Sequence, residues 1–85
     1  MFTLKSVKPL ADFRVELIYT NSEVVVADFK AIIAKGGVFT ALADPAVFRA
    51  VTLGEGGRYI EWPHEIDFCA DALYMQYAGV VVSDH

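Results

Sequence analysis

The pattern of apolar and polar positions changes period twice along this chain. From Phe13 it alternates: Phe13, Val15, Leu17 and Tyr19 fall on one face, and Arg14, Glu16, Ile18 and Thr20 on the other. A period of two is the signature of a half-buried strand. Asn21-Ser22 supplies turn residues, and the β-branched run from Glu23 to Ala27 resumes extended structure, which predicts a hairpin. Thr3 to Leu10 reads as a preceding strand. Pro9 lacks an N–H and confines that strand to a sheet edge or an end.

At Asp28 the period becomes helical. Asp28 is expected to cap a helix, its carboxylate accepting from the free N–H groups of the first turn. Phe29, Ile32 and Ile33 follow at helical spacing, and Gly36-Gly37 stops the run. Phe39 and Leu42 suit a further short turn. Asp44-Pro45 pairs a capping acid with proline at the first helical position, leaving Val47 and Phe48 to face the core. The period then shortens again. Val51 to Leu53 reads as a strand, Gly54-Glu55-Gly56-Gly57 as a hairpin loop, and Arg58 to Trp62 as the return strand, ended by Pro63. Pro63 to Asp67 is expected to be a stiff turn. Asp71 then caps a last helix, with Leu73, Tyr74 and Tyr77 on one side and Gly79 as its stop.

The predicted order is β-β-β-α-α-β-β-α, an α+β fold. Hairpins imply antiparallel pairing, so the expectation is one antiparallel sheet of about five strands in two hairpins, with two or three short helices packed on it. Residues 1–27 form a β-meander, 28–50 a helical segment, 51–62 a hairpin, 63–79 the Trp-Pro turn and C-terminal helix, and 80–85 a tail. All belong to a single domain, since 85 residues leave no room for two cores.

Composition narrows the function classes. The chain is 55% hydrophobic and 13% aromatic, enough for a core in a short domain. No apolar run approaches the ~20 residues of a membrane span. The opening MFTLKSVKPL has no apolar block like that of a signal peptide, and a single Cys cannot form an internal disulfide. A cytoplasmic protein is expected. Net charge is −4, and the seven Lys and Arg are scattered from Lys5 to Arg58. Without clustered cations to neutralise phosphates, direct nucleic-acid binding is not expected.

Candidate chemistry concentrates in GRYIEWPHEIDFCADALY, residues 57–74, which holds the only Trp, the only Cys and one of two His. Cys69, His64 and Asp67 could act as thiolate, base and orienting acid. His64, Glu65, Asp67 and Asp71 could ligate a metal. Neither constellation matches a motif: HEIDF is not H-E-x-x-H, and tetrahedral zinc sites favour several Cys or His. Cys69, flanked by Phe68 and Ala70, reads as a buried, inert thiol. Asp67 and Asp71 read as acceptors for backbone N–H groups in the turn and at the helix start. The glycine loop lacks the Lys-Ser/Thr ending of a phosphate loop and lies between strands. Trp62 reads as a core or interface anchor. No catalytic residue, metal ligand or cofactor is expected.

The same block carries a family resemblance. Phe39-x-x-Leu42, Asp44-Pro45-x-x-Phe48-x-x-Val51, Ile60-x-Trp62-Pro63, then Asp67, Cys69, Asp71 and Leu73-Tyr74 follow its pattern, as do Tyr19, Glu23 and Asp28 earlier. In these positions the chain resembles the small bacterial domain of unknown function numbered 2442, over nearly its whole length. Three positions depart from that pattern: Asn21-Ser22 replaces an Asp-Gly turn, Glu65 a glycine, and Ala70 a proline. The resemblance implies no established activity. It implies relatives with an added helix-turn-helix domain, for which this chain has no room, and relatives paired with a second small domain in the manner of a toxin–antitoxin module. The reading is therefore a non-enzymatic protein-interaction domain, an accessory or antitoxin-like partner of another small bacterial protein. Trp62, Pro63, Asp67, Cys69, Asp71, Leu73 and Tyr74 are its candidate interaction or motif residues, and Asp28 and Asp44 its structural caps. The alternative is a small enzyme or ligand-binding domain using His64, Asp67, Cys69 and Asp71. Val80-Val81-Val82 is expected to pair with an open sheet edge. A two-fold homodimer through that edge and the Tyr74–Tyr77 helix face is the expected assembly.

Overall fold

The alternation that begins at Phe13 becomes the central strand of a three-stranded sheet. In the computed structural model, which describes residues 2–78, β1 (Leu4–Leu10), β2 (Arg14–Tyr19) and β3 (Val24–Asp28) pair antiparallel in that order. Val15, Leu17 and Tyr19 turn one face of β2 into the core, level with Ala27 and Val25 of β3. β1 lies at the edge, as Pro9 requires, and its ladder bulges between Leu4 and Ser6. The β2–β3 turn closes with Ser22 at φ 76, while the Asn21 side chain accepts from the Glu23 N–H. Gly79 and the Val80–Val82 tail lie outside the described residues, and so does the strand expected there.

The chain leaves β3 through Phe29, which is fully buried. Short helices α1 (Lys30–Ala34) and α2 (Pro45–Phe48) flank a 3-10 turn over Gly37–Ala43. Asp28 Oδ1 accepts from the Lys30 N–H at 2.9 Å, with Phe29 at the cap position itself. That bond, with the Lys30 ammonium 3.0 Å from the other oxygen, holds the Asp28 carboxyl below its ordinary range. Asp44 Oδ1 accepts from the Ala46 N–H at 2.9 Å, with Pro45 as the first helical residue. Both carboxylates are thus engaged with helix N–H groups.

Beyond α2 the structure departs from the predicted single sheet. β4 (Thr52–Leu53), β5 (Tyr59–Trp62) and β6 (Ile66–Cys69) form a second antiparallel sheet, followed by α3 (Ala70–Leu73) and a π-helical turn over Tyr74–Ala78. The order is therefore β-β-β-α-α-β-β-β-α. The segment expected to be a stiff turn from Pro63 to Asp67 is a turn only over Pro63–Glu65. Ile66-Asp67-Phe68-Cys69 alternates and pairs with β5 from Tyr59 to Trp62. The last helix accordingly begins at Ala70, not Asp71, and the Asp71 carboxylate accepts from the Phe2 N–H instead of capping the helix. With β6 supplying a local third strand, each meander satisfies its own pairing. The bulged, proline-bearing edge of β1 does not extend across to the second sheet.

The two sheets share one apolar cluster instead of a ladder. Phe29 meets Trp62 at 5.2 Å and Phe68 at 5.1 Å between ring centroids, both edge-on. Trp62 Nε1–H donates to the Phe48 carbonyl at 2.8 Å. Among the described residues, no Asp, Glu, Lys, Arg or other polar residue is buried.

Two backbone positions carry opposite expectations. At Gly57 φ is +69 and an added Cβ would lie 2.2 Å from the Leu4 carbonyl oxygen. Gly57→Ala should therefore destabilise the domain by about 2–4 kcal/mol through strain and overpacking. Glu65 holds φ 60 without glycine's freedom. The family's glycine suits this left-handed backbone, and Glu65→Gly should stabilise by about 0.5–1 kcal/mol. Urea unfolding of both variants checks the pair.

Candidate functional site

Successive residues of a strand point to opposite sides of the sheet. In β5 and β6 this sends Ile60, Trp62 and Ile66 inward and Glu61, Asp67 and Cys69 outward. The register places Thr52, Glu61 and Asp67 in one outer row and Tyr59 opposite Cys69. Glu61 and Asp67 are direct cross-strand neighbours, with Cβ atoms about 5 Å apart in such pairs. Like charges so placed destabilise the sheet. Among the described residues, the ion pair found joins Lys30 of α1 to Asp28 of β3, so neither acid has a cation.

Cys69 is exposed, which corrects the expectation of a buried thiol. Its apolar chain neighbours, Phe68 and Ala70, face the other way. His64 sits in the β5–β6 turn at φ 71, beside Glu65. Cys69 lies at the far end of β6, roughly 10 Å along the strand from Ile66. The thiol and the imidazole therefore stand at opposite ends of the hairpin.

The remaining motif residues divide between core and seam. Trp62 and Leu73 are buried. Pro63 is exposed in the turn. Tyr74 stacks on Phe2 at 3.7 Å, meets Tyr19 edge-on, and donates its hydroxyl to the Glu23 carboxylate, which raises its pKa. Tyr77 donates to the Asp28 carbonyl at 2.9 Å, and burial raises its pKa. Tyr19 donates to the Ala70 carbonyl at 2.9 Å. Burial, with the nearby Asp71 charge, pushes Tyr19 up to about 12. Tyr19, Tyr74 and Asp71 thus tie the first sheet and the chain start to α3.

Among the described residues, His64, Asp67, Cys69 and Asp71 line neither of two open cavities. One open cavity of about 180 Å³ lies between the β1–β2 turn and α2, bounded by Asp12, Phe13, Pro45, Phe48 and Arg49 among others. Another, of about 350 Å³, is bounded by Glu55, Gly56, Arg58 and Tyr59. Among the described residues, no three His, Cys, Asp or Glu side chains gather as a metal site. No described helix is long and apolar enough to cross a membrane. The sequence reading had missed Glu61 and Tyr59 as surface residues. Reading Ile66-Asp67-Phe68-Cys69 as a strand would have paired them with Asp67 and Cys69.

The family model described as "Protein of unknown function (DUF2442)" matches residues 4–79. No curated protein matches the chain. Among solved structures, the fold is similar to that of a Nitrosomonas europaea ATCC 19718 protein called "Putative DNA Binding Protein NE0471". The TM-score is 0.82 and the identity 24%, over 96% of this chain and 52% of that one. The chain spans about half the length of that protein, and at this identity the likeness is one of fold.

The exposed Cys69 should react with a thiol reagent in the folded protein as fast as in unfolding urea, and Cys69→Ala should change stability by less than about 0.5 kcal/mol. Tyr19 sets an alkaline limit. Its folded pKa of about 12 lies above the ordinary 10.0. The unfolded chain loses this proton first, so stability is full below pH 10 and falls as pH rises towards about 12. Tyr19→Phe should remove that share of the alkaline loss while costing about 1–2 kcal/mol at neutral pH, because the Ala70 carbonyl loses its donor. Urea midpoints across the alkaline range test both effects.

Proposed function

Because the chain belongs to the DUF2442 family of unknown function, we propose its role from its own geometry: a non-enzymatic interaction domain, accessory or antitoxin-like, for another small protein. The observation that carries this reading is the outer face of the second sheet, where Glu61 opposes Asp67 without a cation among the described residues. A basic side chain from a partner would relieve that repulsion on binding. Tyr59 and Cys69 flank the acids and add contact area. The net charge of −4 favours a basic partner as well.

Two features weigh against enzyme chemistry at His64, Asp67, Cys69 and Asp71. Cys69 and His64 stand at opposite ends of their hairpin, and neither cavity reaches the four side chains. The exposed thiol favours that alternative, but His64, the base it would use, stands at the other end of the hairpin. The DNA-binding name belongs to the Nitrosomonas europaea protein, which is about twice as long as this chain. Opposed carboxylates repel phosphate, so the acidic face suits a protein partner and not a nucleic acid.

Affinity purification from the native host, followed by mass spectrometry, tests the reading when the wild type is run beside the Glu61→Lys/Asp67→Lys variant. A small basic protein should co-purify with the wild type and fall about tenfold with the variant, as the loss of one to two charge pairs would give. The variant should keep its circular dichroism, since two opposed lysines replace one like-charge cross-strand pair with another and leave the balance of the sheet about unchanged. Equal recovery by both proteins, or a salt-sensitive shift of duplex DNA by the wild type, would overturn the proposal.

A further inference from the structure

The two edges of the first sheet are built differently. β1 carries Pro9, Lys5 and Lys8, and a ladder bulge between Leu4 and Ser6. Prolines, lysines and bulges are the devices that keep another strand from adding to an edge. β3 carries none of them. Its sequence is Val24-Val25-Val26-Ala27 before Asp28, and its register with β2 runs without a shift.

The hydrogen-bond pattern shows which groups that edge presents. The Tyr19 N–H donates to the Glu23 carbonyl, and the Phe29 N–H donates to the Phe13 carbonyl. Bonding residues alternate along an antiparallel pair. Val25 and Ala27 therefore bond to β2, while Val24, Val26 and Asp28 direct their N–H and C=O groups away from it. The Asp28 carbonyl is taken by the Tyr77 hydroxyl. Among the described residues, no hydrogen bond engages the outward groups of Val24 or Val26. Their side chains are 56% and 45% exposed on the outer face, beside Ile18 of β2.

We infer that a second copy of this chain pairs along β3, antiparallel, about a two-fold axis through Val25. This register sets Val24 opposite the partner's Val26, and the reverse, so the free N–H and C=O groups of each meet their counterparts. The same two valines pack side by side on the outer face, where Ile18 extends the apolar stripe. The ends are compatible in charge: Asp28 falls opposite the partner's Ser22, and Glu23 opposite the partner's Ala27. No two like charges come face to face. An isologous contact of this kind closes at two subunits and consumes the edge that would otherwise template further addition. The contact is short, so the dimer belongs to the micromolar range and not the nanomolar. It uses the first sheet alone and stands or falls independently of the acidic face of the second.

Sedimentation equilibrium on the full chain, from low to high micromolar concentration, reads the assembly directly. The wild type should move from the 9.4 kDa of one chain towards twice that mass. Val26→Pro removes an outward N–H without breaking the ladder to β2, and Val24→Lys/Val26→Lys places charges on the edge. Both should remain monomeric at every concentration, with unchanged circular dichroism. Should either variant fail to fold, amide exchange on the wild type gives the same reading: the Val24 and Val26 amides should slow at least tenfold between the dilute and concentrated samples, while Val25 stays protected throughout. A wild type that is monomeric throughout would overturn the inference. So would edge variants that still dimerise, or Val24 and Val26 amides protected at all concentrations. A chain ending at Gly79 should dimerise like the full chain; dimerisation only after that truncation would assign the edge to the chain's own tail and overturn it too.

Discussion

Phe29 is the residue through which two small sheets become one core. It stands where β3 gives way to the helical segment, fully buried, with the Trp62 and Phe68 rings of the second sheet against its edges. A three-stranded sheet is close to the smallest that persists, and only when its apolar face is covered. Here each sheet covers the other. The Asp28–Lys30 bond sets the chain's exit from β3 and so the position of Phe29. The Trp62 bond to the Phe48 carbonyl then holds α2 against the second sheet. At the other end, Phe2, Tyr19 and Tyr74 make a second aromatic seam, locked by the Tyr19 bond to the Ala70 carbonyl.

This arrangement leaves no polar or charged residue buried among the described residues. The polar tips that reach the core, the Tyr19 hydroxyl and the Trp62 N–H, both end on backbone carbonyls. No buried side-chain donor or acceptor among the described residues lacks a partner. A group poised to act on a substrate is usually held partly desolvated in a cleft. In this domain Glu61, Glu65, Asp67, the Cys69 thiol and the His64 imidazole of the Trp-Pro block stand on the surface, while the half-buried Asp71 carboxylate is taken by the Phe2 N–H. Among the described residues, surface rows and strand edges are where charged side chains and backbone groups are left without a partner.

Much of the fold was legible because period and capping are local. The β2 alternation, the Asp44-Pro45 helix start and the edge position of the Pro9 strand all appear as the residues imply. The number of sheets was not legible, since it depends on which edges meet in space. β6 was within reach: Ile66, Asp67, Phe68 and Cys69 alternate cleanly. Pro63 drew the turn too far, and two polar residues in four obscured a strand with one wet face. The exposure of Cys69 follows from the same strand, because the apolar neighbours Phe68 and Ala70 point to the opposite face and do not cover it. Asp71 was misjudged for a different reason. Its partner, the Phe2 N–H, lies at the other end of the chain, a contact no local pattern could reveal.

The chain holds a single Trp, and it sits at the joint. Trp62 is ringed by Phe29, Phe48 and Phe68 from three different elements, and its indole N–H is bound to a backbone carbonyl. Emission from an indole shifts to longer wavelength when water reaches it. The domain therefore contains its own optical gauge of inter-sheet contact, read without any attached label. Parting of the sheets would appear in that signal even while each meander kept its strands, which distinguishes loss of docking from loss of secondary structure.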